Sequence, residues 1–325
     1  LILHMNEFLL DFEEPLKKIV DKIESLKNSS SSTGIDVTQS IYQLEQQLNN
    51  KKNEIYSNLS RWQKVQLARH PNRPYSSDYI KRITDNWIEL HGDRNYSDDL
   101  SIICGIGEIN SNSVMIIAQE KGRGTKEKVK RNFGMTRPEG YRKALRLMKL
   151  AEKFDIPVLT LIDTPGAYPG IGAEERGQAE AIATNIFEMS VLKTPIISIV
   201  IGEGASGGAL AIGVSDRLIC LENTWFSVIS PEGCASILFR DSSKSQIAAD
   251  AMKVSSEDLL GMGIADDIIK EPLGGANNDY DSSANFLKEK FLDTLEELKS
   301  ISKDELINKR IEKYDKMGEW LVENE

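Results

Sequence analysis

The feature that most limits the possible folds is a continuous run of apolar residues that ends in a glycine-rich loop. Residues 195–201 read P-I-I-S-I-V-I, and residues 202–208 continue as G-E-G-A-S-G-G. A strand without polar alternation is typical of a sheet that is covered on both faces. The glycines that follow predict a tight turn into a helix whose first N–H groups can face a ligand. We therefore expect an α/β fold whose chemistry depends on the backbone of residues 204–208.

Strands and helices alternate over most of the chain after Gly92, which predicts an α/β core at residues 93–280. The predicted strands are residues 101–109, 114–119, 157–162, 195–201, 218–221, 226–229 and 264–269. The predicted helices are residues 138–154, 174–192, 206–213 and 231–239.

The first 92 residues have helical periodicity instead. Apolar residues recur at steps of three and four between Leu16 and Leu26 and between Val37 and Trp62, with a serine-rich break between them. This pattern predicts an N-terminal helical hairpin in a region of residues 1–92, with a third helix from Ser76 or Ser77 to near Gly92. Residues 281–325 are expected to form peripheral, charged C-terminal helices. We interpret residues 1–4 as preceding a natural start at Met5.

The composition argues against several classes of protein. No apolar run approaches the ~18 residues that a membrane span needs. The net charge of −10 argues against a general nucleic-acid binder, although it leaves local basic patches open, and no specific nucleic-acid partner is predicted. The three cysteines form no C-x-x-C pair, and the three histidines form no H-E-x-x-H motif. These patterns disfavour a disulfide framework, a zinc site and a Ser-His-Asp enzyme. A reducing compartment, the cytoplasm or a plastid stroma, is expected.

The glycine loops leave two nucleotide-binding interpretations to weigh. G-x-G-x-x-G at residues 202–207, with Glu222 at the end of the next strand, fits a dinucleotide site. However, only about ten residues separate that loop from the next strand, too few for the crossover helix of a ~30-residue unit. D-T-P-G at residues 163–166 is similar to a GTPase switch, but the chain has no G-x-x-x-x-G-K-[ST] to hold the phosphates.

A third interpretation is an oxyanion hole for the enolate of a thioester or of a urea group. Such a site needs backbone N–H donors aimed at one oxygen, each worth about 3–4 kcal/mol in the transition state. It needs no histidine or cysteine from this chain. The adjacent pair Gly207 and Gly208, at a helix start, favours this interpretation over a purely structural role for the glycines.

Several long motifs together resemble one enzyme family. They are D-T-P-G-A-Y-P-G at residues 163–170, E-E-R-G-Q at 174–178, I-G-E-G-A-S-G-G-A-L-A-I-G at 201–213, S-P-E-G-C-A-S-I-L at 230–238 and E-P-L-G-G-A at 271–276. With these motifs the chain resembles the alpha subunit of the bacterial and plastid-type acetyl-CoA carboxylase carboxyltransferase, over essentially its whole length.

The resemblance implies a crotonase-like (ClpP/crotonase) fold, a spiral of ββα units. It implies transfer of a carboxyl group from carboxybiotin, carried on a separate biotin carboxyl carrier protein, to acetyl-CoA, which gives malonyl-CoA for fatty-acid synthesis. It also implies an α2β2 assembly with a beta subunit, activity only in that assembly, and a larger ATP-dependent complex with biotin carboxylase. The zinc of the family belongs to the beta subunit, so no metal is expected in this chain.

By the same resemblance, the N–H groups of Gly207, Gly208 and Ala209 form the oxyanion hole on the biotin side. The beta subunit is expected to form the hole on the acetyl-CoA side. The remaining residues implied for the carboxybiotin and CoA pocket are Gly166, Ala167, Tyr168, Gly204, Ser206, Pro231, Glu232, Gly233, Arg123 and Arg131.

Three further points remain open from the sequence. The basic stretch at residues 121–146, with Arg123 and Arg131, is either a solvated surface or a contact for CoA phosphates or an acidic partner. A self-contained enoyl-CoA hydratase or isomerase of the same fold would need a pair of catalytic carboxylates, for which Glu174, Glu175 and Glu232 are the candidates. A non-catalytic scaffold protein is a third functional class that stays open, beside the carboxyltransferase and the hydratase.

Overall fold

The computed structural model describes residues 8–318. Residues 1–7 and 319–325 lie outside the described residues, and with them the start inferred at Met5 and the end of the predicted C-terminal helices. One sheet of eight strands forms the centre of the described part, in the order β1-β2-β3-β4-β5-β6-β8, with β7 paired to β5. The strands are β1 (Asp85–Glu89), β2 (Ile102–Ile109), β3 (Asn112–Gln119), β4 (Val158–Thr164), β5 (Ile196–Ala205), β6 (Arg217–Leu221), β7 (Trp225–Ser227) and β8 (Asp267–Ile269).

Helices surround this sheet. They are α1 (Glu14–Thr33), α2 (Thr38–Tyr56), α3 (Arg61–Ala68), α4 (Ser76–Ile83), α5 (Gly124–Lys130), α6 (Pro138–Phe154), α7 (Ile171–Glu175), α8 (Gln178–Val191), α9 (Ser206–Leu210), α10 (Pro231–Phe239), α11 (Ser245–Met252), α12 (Ser256–Gly261), α13 (Tyr280–Lys299) and α14 (Lys303–Asp315). Strands β1, β2 and β3 pair antiparallel, and the pairs from β3 onward are parallel.

Both faces of the sheet are covered, as the apolar strands predict. Along β5, Ile196 and Val200 join the cluster under α6 and α8, whereas Ile197, Ile199 and Ile201 join the cluster under α4 and α13. All ten residues of β5 are buried. Since α4 and α13 contribute to this core, they extend it beyond residues 93–280, and the three-part division of the chain stays a prediction.

The predicted hairpin is present as α1 and α2, which share a small apolar cluster of Leu16, Ile23 and Leu48. The predicted third helix, however, is too long. It ends at Ile83, and β1 follows as an edge strand instead of the helix continuing to near Gly92. Gly105 of β2 allows β1 to approach closely, because a Cβ there would lie 2.3 Å from the Ile88 carbonyl oxygen.

Other boundaries also differ from the predicted ones. The helix predicted at residues 174–192 is divided into α7 and α8 at Gly177, whose φ of 82° no regular helix accommodates. Strand β5 continues to Ala205, which carries it into the glycine loop. Helices α11 and α12 lie in a segment where no element was predicted.

A buried arginine fixes the last helix to the sheet. Arg310 of α14 has a fully buried side chain that binds both carboxylate oxygens of Asp216 at 2.8 Å. It also donates to the carbonyl oxygens of Met189, Leu192 and Thr194. Each of the three guanidinium nitrogens of Arg310 thus donates at least one hydrogen bond within the protein.

Replacing Arg310 with alanine is expected to lower the free energy of unfolding by about 3–5 kcal/mol, because it leaves the buried Asp216 carboxylate unpaired. Lys309→Ala is the matched control, since Lys309 is exposed and its pair with Glu305 spans one helical turn. That control should change stability by less than about 0.5 kcal/mol. Urea unfolding of both variants measures the difference, and equal stabilities would contradict the assigned role of Arg310.

Candidate active site

Three neighbouring parallel strands end at one edge of the sheet and carry the two predicted glycine loops. Strand β4 ends at Thr164 and continues into residues 165–170, and β5 ends at Ala205 and continues into α9. Strand β3 ends beside them at Gln119. In open α/β sheets this edge, at the carboxyl ends of the strands, is the usual place for a ligand.

The two loops are in direct contact through Gly208. A Cβ built on Gly208 would lie 2.5 Å from the backbone N of Ala167 and 2.5 Å from the carbonyl carbon of Gly166. Since real Cβ atoms do not approach backbone that closely, glycine is required here. The turn into α9 passes through Ser206, which has a φ of 60°.

The predicted N–H donors differ in their access to solvent. Gly207 is half-buried, Gly208 is buried, and Ala209 has no exposed surface. The first N–H groups of a helix have no acceptor within that helix. Of the three predicted donor residues, Gly207 is therefore the one with solvent-accessible surface, whereas Gly208 and Ala209 are enclosed by the protein. Gly204 serves packing, because a Cβ there would lie 2.4 Å from the Phe226 ring.

The loop after β4 is held by side chains from other elements. The N–H of Tyr168 donates to the Thr136 carbonyl at 3.0 Å, and Gln178 Nε2 donates to the Tyr168 carbonyl at 2.9 Å. The Arg137 guanidinium lies 4.7 Å from the centre of the Tyr168 ring. The predicted site residues Gly166, Ala167 and Tyr168 thus belong to one fixed loop.

Behind the loops lies a chain of ion pairs, which we call the rim network. Lys121 Nζ lies 2.6 Å from Asp163 Oδ1 and 2.6 Å from Glu203 Oε2. Arg69 binds the other oxygen of Glu203 at 2.6 Å and Glu232 at 2.5 Å. The predicted site residue Glu232 is therefore joined to the end of β5 through Arg69.

Burial and pairing set the protonation of the rim network. Burial raises the pKa of the Glu203 carboxyl, but Lys121 and Arg69 outweigh it and hold that pKa below its usual value. Burial lowers the pKa of Lys121, and Asp163 and Glu203 outweigh it and raise that pKa. For Asp163 burial dominates, so its pKa is raised although Lys121 offsets part of the effect. Glu203 and Lys121 are thus held as an ion pair.

A cleft of about 240 Å³ opens beside the rim network. Its lining residues are Ala68, Arg69, His70, Tyr75, Lys121, Lys128, Phe133, Pro165 and Glu203. Arg69 was not singled out from the sequence, and Lys121, Asp163 and Glu203 were named only within the basic stretch and the two glycine-loop motifs. For Glu203 a signal existed, because a charged residue inside a glycine loop after an apolar strand is unusual; Arg69 is brought in only by tertiary packing.

The first turn of α10 holds Pro231, Glu232 and Gly233, with the Ser230 hydroxyl accepting the Gly233 N–H at 3.1 Å. Further along this helix the apolar side chains of Ile237 and Leu238 are 70% and 65% exposed. The predicted site residues on α10 thus share a helix with two exposed apolar side chains.

Arg123 and Arg131 both have partners within the chain. Arg123 Nη2 lies 2.5 Å from Asp78 Oδ2, and the guanidinium stacks 4.6 Å from the Tyr75 ring centre. Arg131 Nη1 donates to the Leu100 carbonyl at 2.6 Å. These contacts fix the segment that follows β3, and a contact with CoA would have to replace or add to them.

The carboxylates considered for a hydratase are not paired in the structure. Glu174 and Glu175 are exposed on α7, whereas Glu232 is bound by Arg69. Within residues 8–318, no three His, Cys, Asp or Glu side chains are placed to hold a metal ion. In the same range, no helix has both the length and the apolar character that a membrane crossing requires.

Comparison with known proteins agrees with this geometry. Residues 9–318 match the family described as acetyl co-enzyme A carboxylase carboxyltransferase-like. The chain belongs to this family. Relatives called acetyl-coenzyme A carboxylase carboxyl transferase subunit alpha include one from Flavobacterium johnsoniae, 53% identical over 96% of this chain and 98% of the relative. Another, from Staphylococcus aureus, is 52% identical over 96% of this chain and 100% of the relative.

Solved structures agree on the fold. A transcarboxylase 12S structure with methylmalonyl-coenzyme A bound has a TM-score of 0.54 at 20% identity, over 68% of this chain and 44% of that longer chain. A Pseudomonas malonate decarboxylase hetero-tetramer in complex with coenzyme A has a TM-score of 0.58 at 16% identity, over 72% of this chain and 91% of that chain. The predicted family and the predicted crotonase-like fold are both confirmed.

The rim network predicts a pH effect on stability. In Lys121→Met the buried Asp163 carboxylate loses its ammonium partner, so its pKa, which burial already raises, rises further above that of the unfolded chain, whereas Glu203 keeps Arg69 as a partner. The folded variant then holds protons that the unfolded chain releases, and its free energy of unfolding should fall as the pH rises from about 5 to about 8. The loss relative to the unsubstituted protein should reach about 3–5 kcal/mol at the upper end.

Lys126→Met is the control for this experiment, because Lys126 is exposed on α5. Its stability should follow the curve of the unsubstituted protein at each pH. Denaturant unfolding across the pH series measures both variants. Parallel curves for Lys121→Met and the unsubstituted protein would contradict the burial and pairing assigned to the rim network.

Proposed function

We propose that this chain is the alpha subunit of an acetyl-CoA carboxylase carboxyltransferase, which moves a carboxyl group from carboxybiotin to acetyl-CoA to give malonyl-CoA. Family membership over residues 9–318 supports the activity. The observation that carries the site assignment is the contact of Gly208 with the peptide between Gly166 and Ala167. This contact fixes the backbone at the start of α9, whose N–H groups are the ones to which we assign the chemistry.

In this proposal, the N–H groups at Gly207 and Gly208 stabilise negative charge on an oxygen of the substrate. Carboxybiotin supplies the carboxyl group, and its ureido oxygen becomes negative as that group leaves. Backbone donors that are fixed before the reaction stabilise such charge without a reorganisation cost, by about 3–4 kcal/mol for a donor. The close packing behind Gly208 fits this role, since it prevents the donors from moving away from the substrate.

We assign the charged side chains near the loops to holding the loops in place and not to proton transfer. Glu203 is held ionised between Lys121 and Arg69, and Asp163 is bound by Lys121 and by the N–H of Glu203 at 2.9 Å. A general base needs a pKa near the working pH and contact with the proton it removes. We therefore propose no side-chain base from this chain, and we assign the acetyl-CoA side of the site to a partner chain.

The partner in this proposal is the beta subunit. The name alpha subunit, given to the relatives, implies such a partner. The exposed apolar side chains of Ile237 and Leu238 lie on the same helix as Glu232, and a neighbouring chain at this site would bury them. The α2β2 stoichiometry, the biotin carrier protein, the biotin carboxylase and a cytoplasmic location remain predictions.

Two alternatives from the sequence concern CoA binding by arginines and a self-contained hydratase. Arg123 and Arg131 are kept as candidates for CoA phosphate binding, although their present contacts support a structural role more directly. The self-contained hydratase is set aside, because the relatives are carboxyl transferase subunits and the candidate carboxylates are exposed or ion-paired.

Gly208→Ala tests the proposed site. The added methyl group must push the 166–167 peptide away, which misplaces the donors, so the rate of the complex with the beta subunit should fall by about 10²–10³-fold. Gly261→Ala is the matched control, because nothing lies within 4 Å of a Cβ at Gly261. The rate of malonyl-CoA decarboxylation with biocytin as acceptor measures both variants. An unchanged rate for a correctly folded Gly208→Ala would contradict the assignment and favour a scaffold role.

A further inference from the structure

Gln119, the last residue of β3, lies behind the two glycine loops with its side chain fully buried. Its Nε2 donates to the Gly208 carbonyl oxygen at 2.8 Å, and its Oε1 accepts the Asp163 N–H at 3.1 Å. Both ends of the amide are therefore occupied, each by the backbone of a different element. The side chain reaches across β4 to the start of α9.

Each of these partners lies beside one of the two loops, Asp163 in β4 and Gly208 in α9. Asp163 is near the end of β4, three residues before Gly166, and Gly208 packs on the peptide that follows Gly166. The spacing between the loops is thus fixed twice, by that packing and by the Gln119 amide. The backbone of Gln119 is itself held in place, because the Ser76 hydroxyl donates to the main-chain carbonyl oxygen of Gln119 at 2.6 Å.

We propose that Gln119 is a positioning residue of the carboxyltransferase site, an inference that rests on the proposed function. It does not contact the reacting groups. By holding the Gly208 carbonyl, it sets the orientation of the backbone whose N–H groups stabilise the substrate oxygen. Backbone donors act on that oxygen only within a narrow range of distance, so a shift of about 1 Å can reduce the rate about 10²-fold.

The two hydrogen bonds at this position require an amide side chain of this length. The Gly208 carbonyl needs a donor and the Asp163 N–H needs an acceptor. Glutamine provides both, methionine provides neither, and glutamate provides both only while it is protonated. These differences allow positioning to be separated from simple filling of the core.

Gln119→Met keeps most of the side-chain volume and removes both hydrogen bonds. In the complex with the beta subunit, kcat should fall about 10- to 100-fold, whereas KM for biocytin should change by less than about threefold, because ground-state binding is not the affected step. Thr160→Val is the matched control, since it removes a buried hydrogen bond to Ser198 from the middle of the same sheet. Its kcat should stay within about twofold.

Gln119→Glu adds a readout that a purely structural role would not give. Burial and the Asp163 and Glu203 carboxylates on β4 and β5 favour the protonated acid, whereas Lys121 after β3 opposes it. The protonated form restores both hydrogen bonds, and the ionised form places a negative charge against the Gly208 carbonyl. The kcat of Gln119→Glu relative to the unsubstituted complex should therefore rise as the pH falls from about 8 to about 6.

Thermal unfolding establishes which variants are folded. A folded Gln119→Met with an unchanged kcat would overturn the inference, as would a Gln119→Glu ratio that stays constant with pH. If Gln119→Met does not fold, the pH series of Gln119→Glu decides alone. An inactive unsubstituted complex would contradict the proposed function, whereas an active one with unaffected Gln119 variants contradicts the role of Gln119 only.

Discussion

The contact of Gly208 with the peptide between Gly166 and Ala167 is the constraint on which the site depends. It brings the loops after β4 and β5 so close that no side chain fits between them. The sheet makes this approach possible, because β4 and β5 are adjacent parallel strands whose residues are buried on both faces. The contact itself is made by backbone atoms, which fits a reaction that needs oriented N–H donors more than it needs a reactive side chain.

Around that contact, the charged residues form a support. The rim network ties the ends of β3, β4 and β5 to the α3 region through Lys121 and Arg69. A second buried pair, Arg73 with Glu271, joins the next segment to the sheet, and Arg73 also donates to the Ile201 carbonyl at 2.7 Å. Pairs like these add little net stability over apolar packing, but they fix geometry where backbone groups must be held in place.

Much of this architecture could be predicted from the sequence, for physical reasons. The apolar run at residues 196–201 and the glycines after it indicated a doubly covered sheet and a helix start, and both are present. The end of α4 could not be predicted, because β1 forms only where Gly105 on another strand lets it approach. The family motifs, by contrast, identified the family correctly, and the match extends over residues 9–318.

The position of the candidate site in the fold could be predicted in part, and its residue roles stay predictions. The motifs directed attention to the two glycine loops, and the structure brings these loops together at the strand ends. The contributions of Arg69 and Gln119 were not visible in the sequence, since each depends on a partner that is distant along the chain. For Ala209 the family resemblance implied a donor role, whereas the complete burial of this residue was not visible in the sequence.

The central claim is that this chain holds one half of a site that a second chain completes. The most direct measurement titrates the purified chain with its beta partner and records malonyl-CoA decarboxylation with biocytin, with each chain alone as control. The account predicts no activity in either chain alone and a rate that rises until the two chains are equimolar. Activity of this chain without its partner, at a rate comparable to that of the mixture, would contradict the shared site.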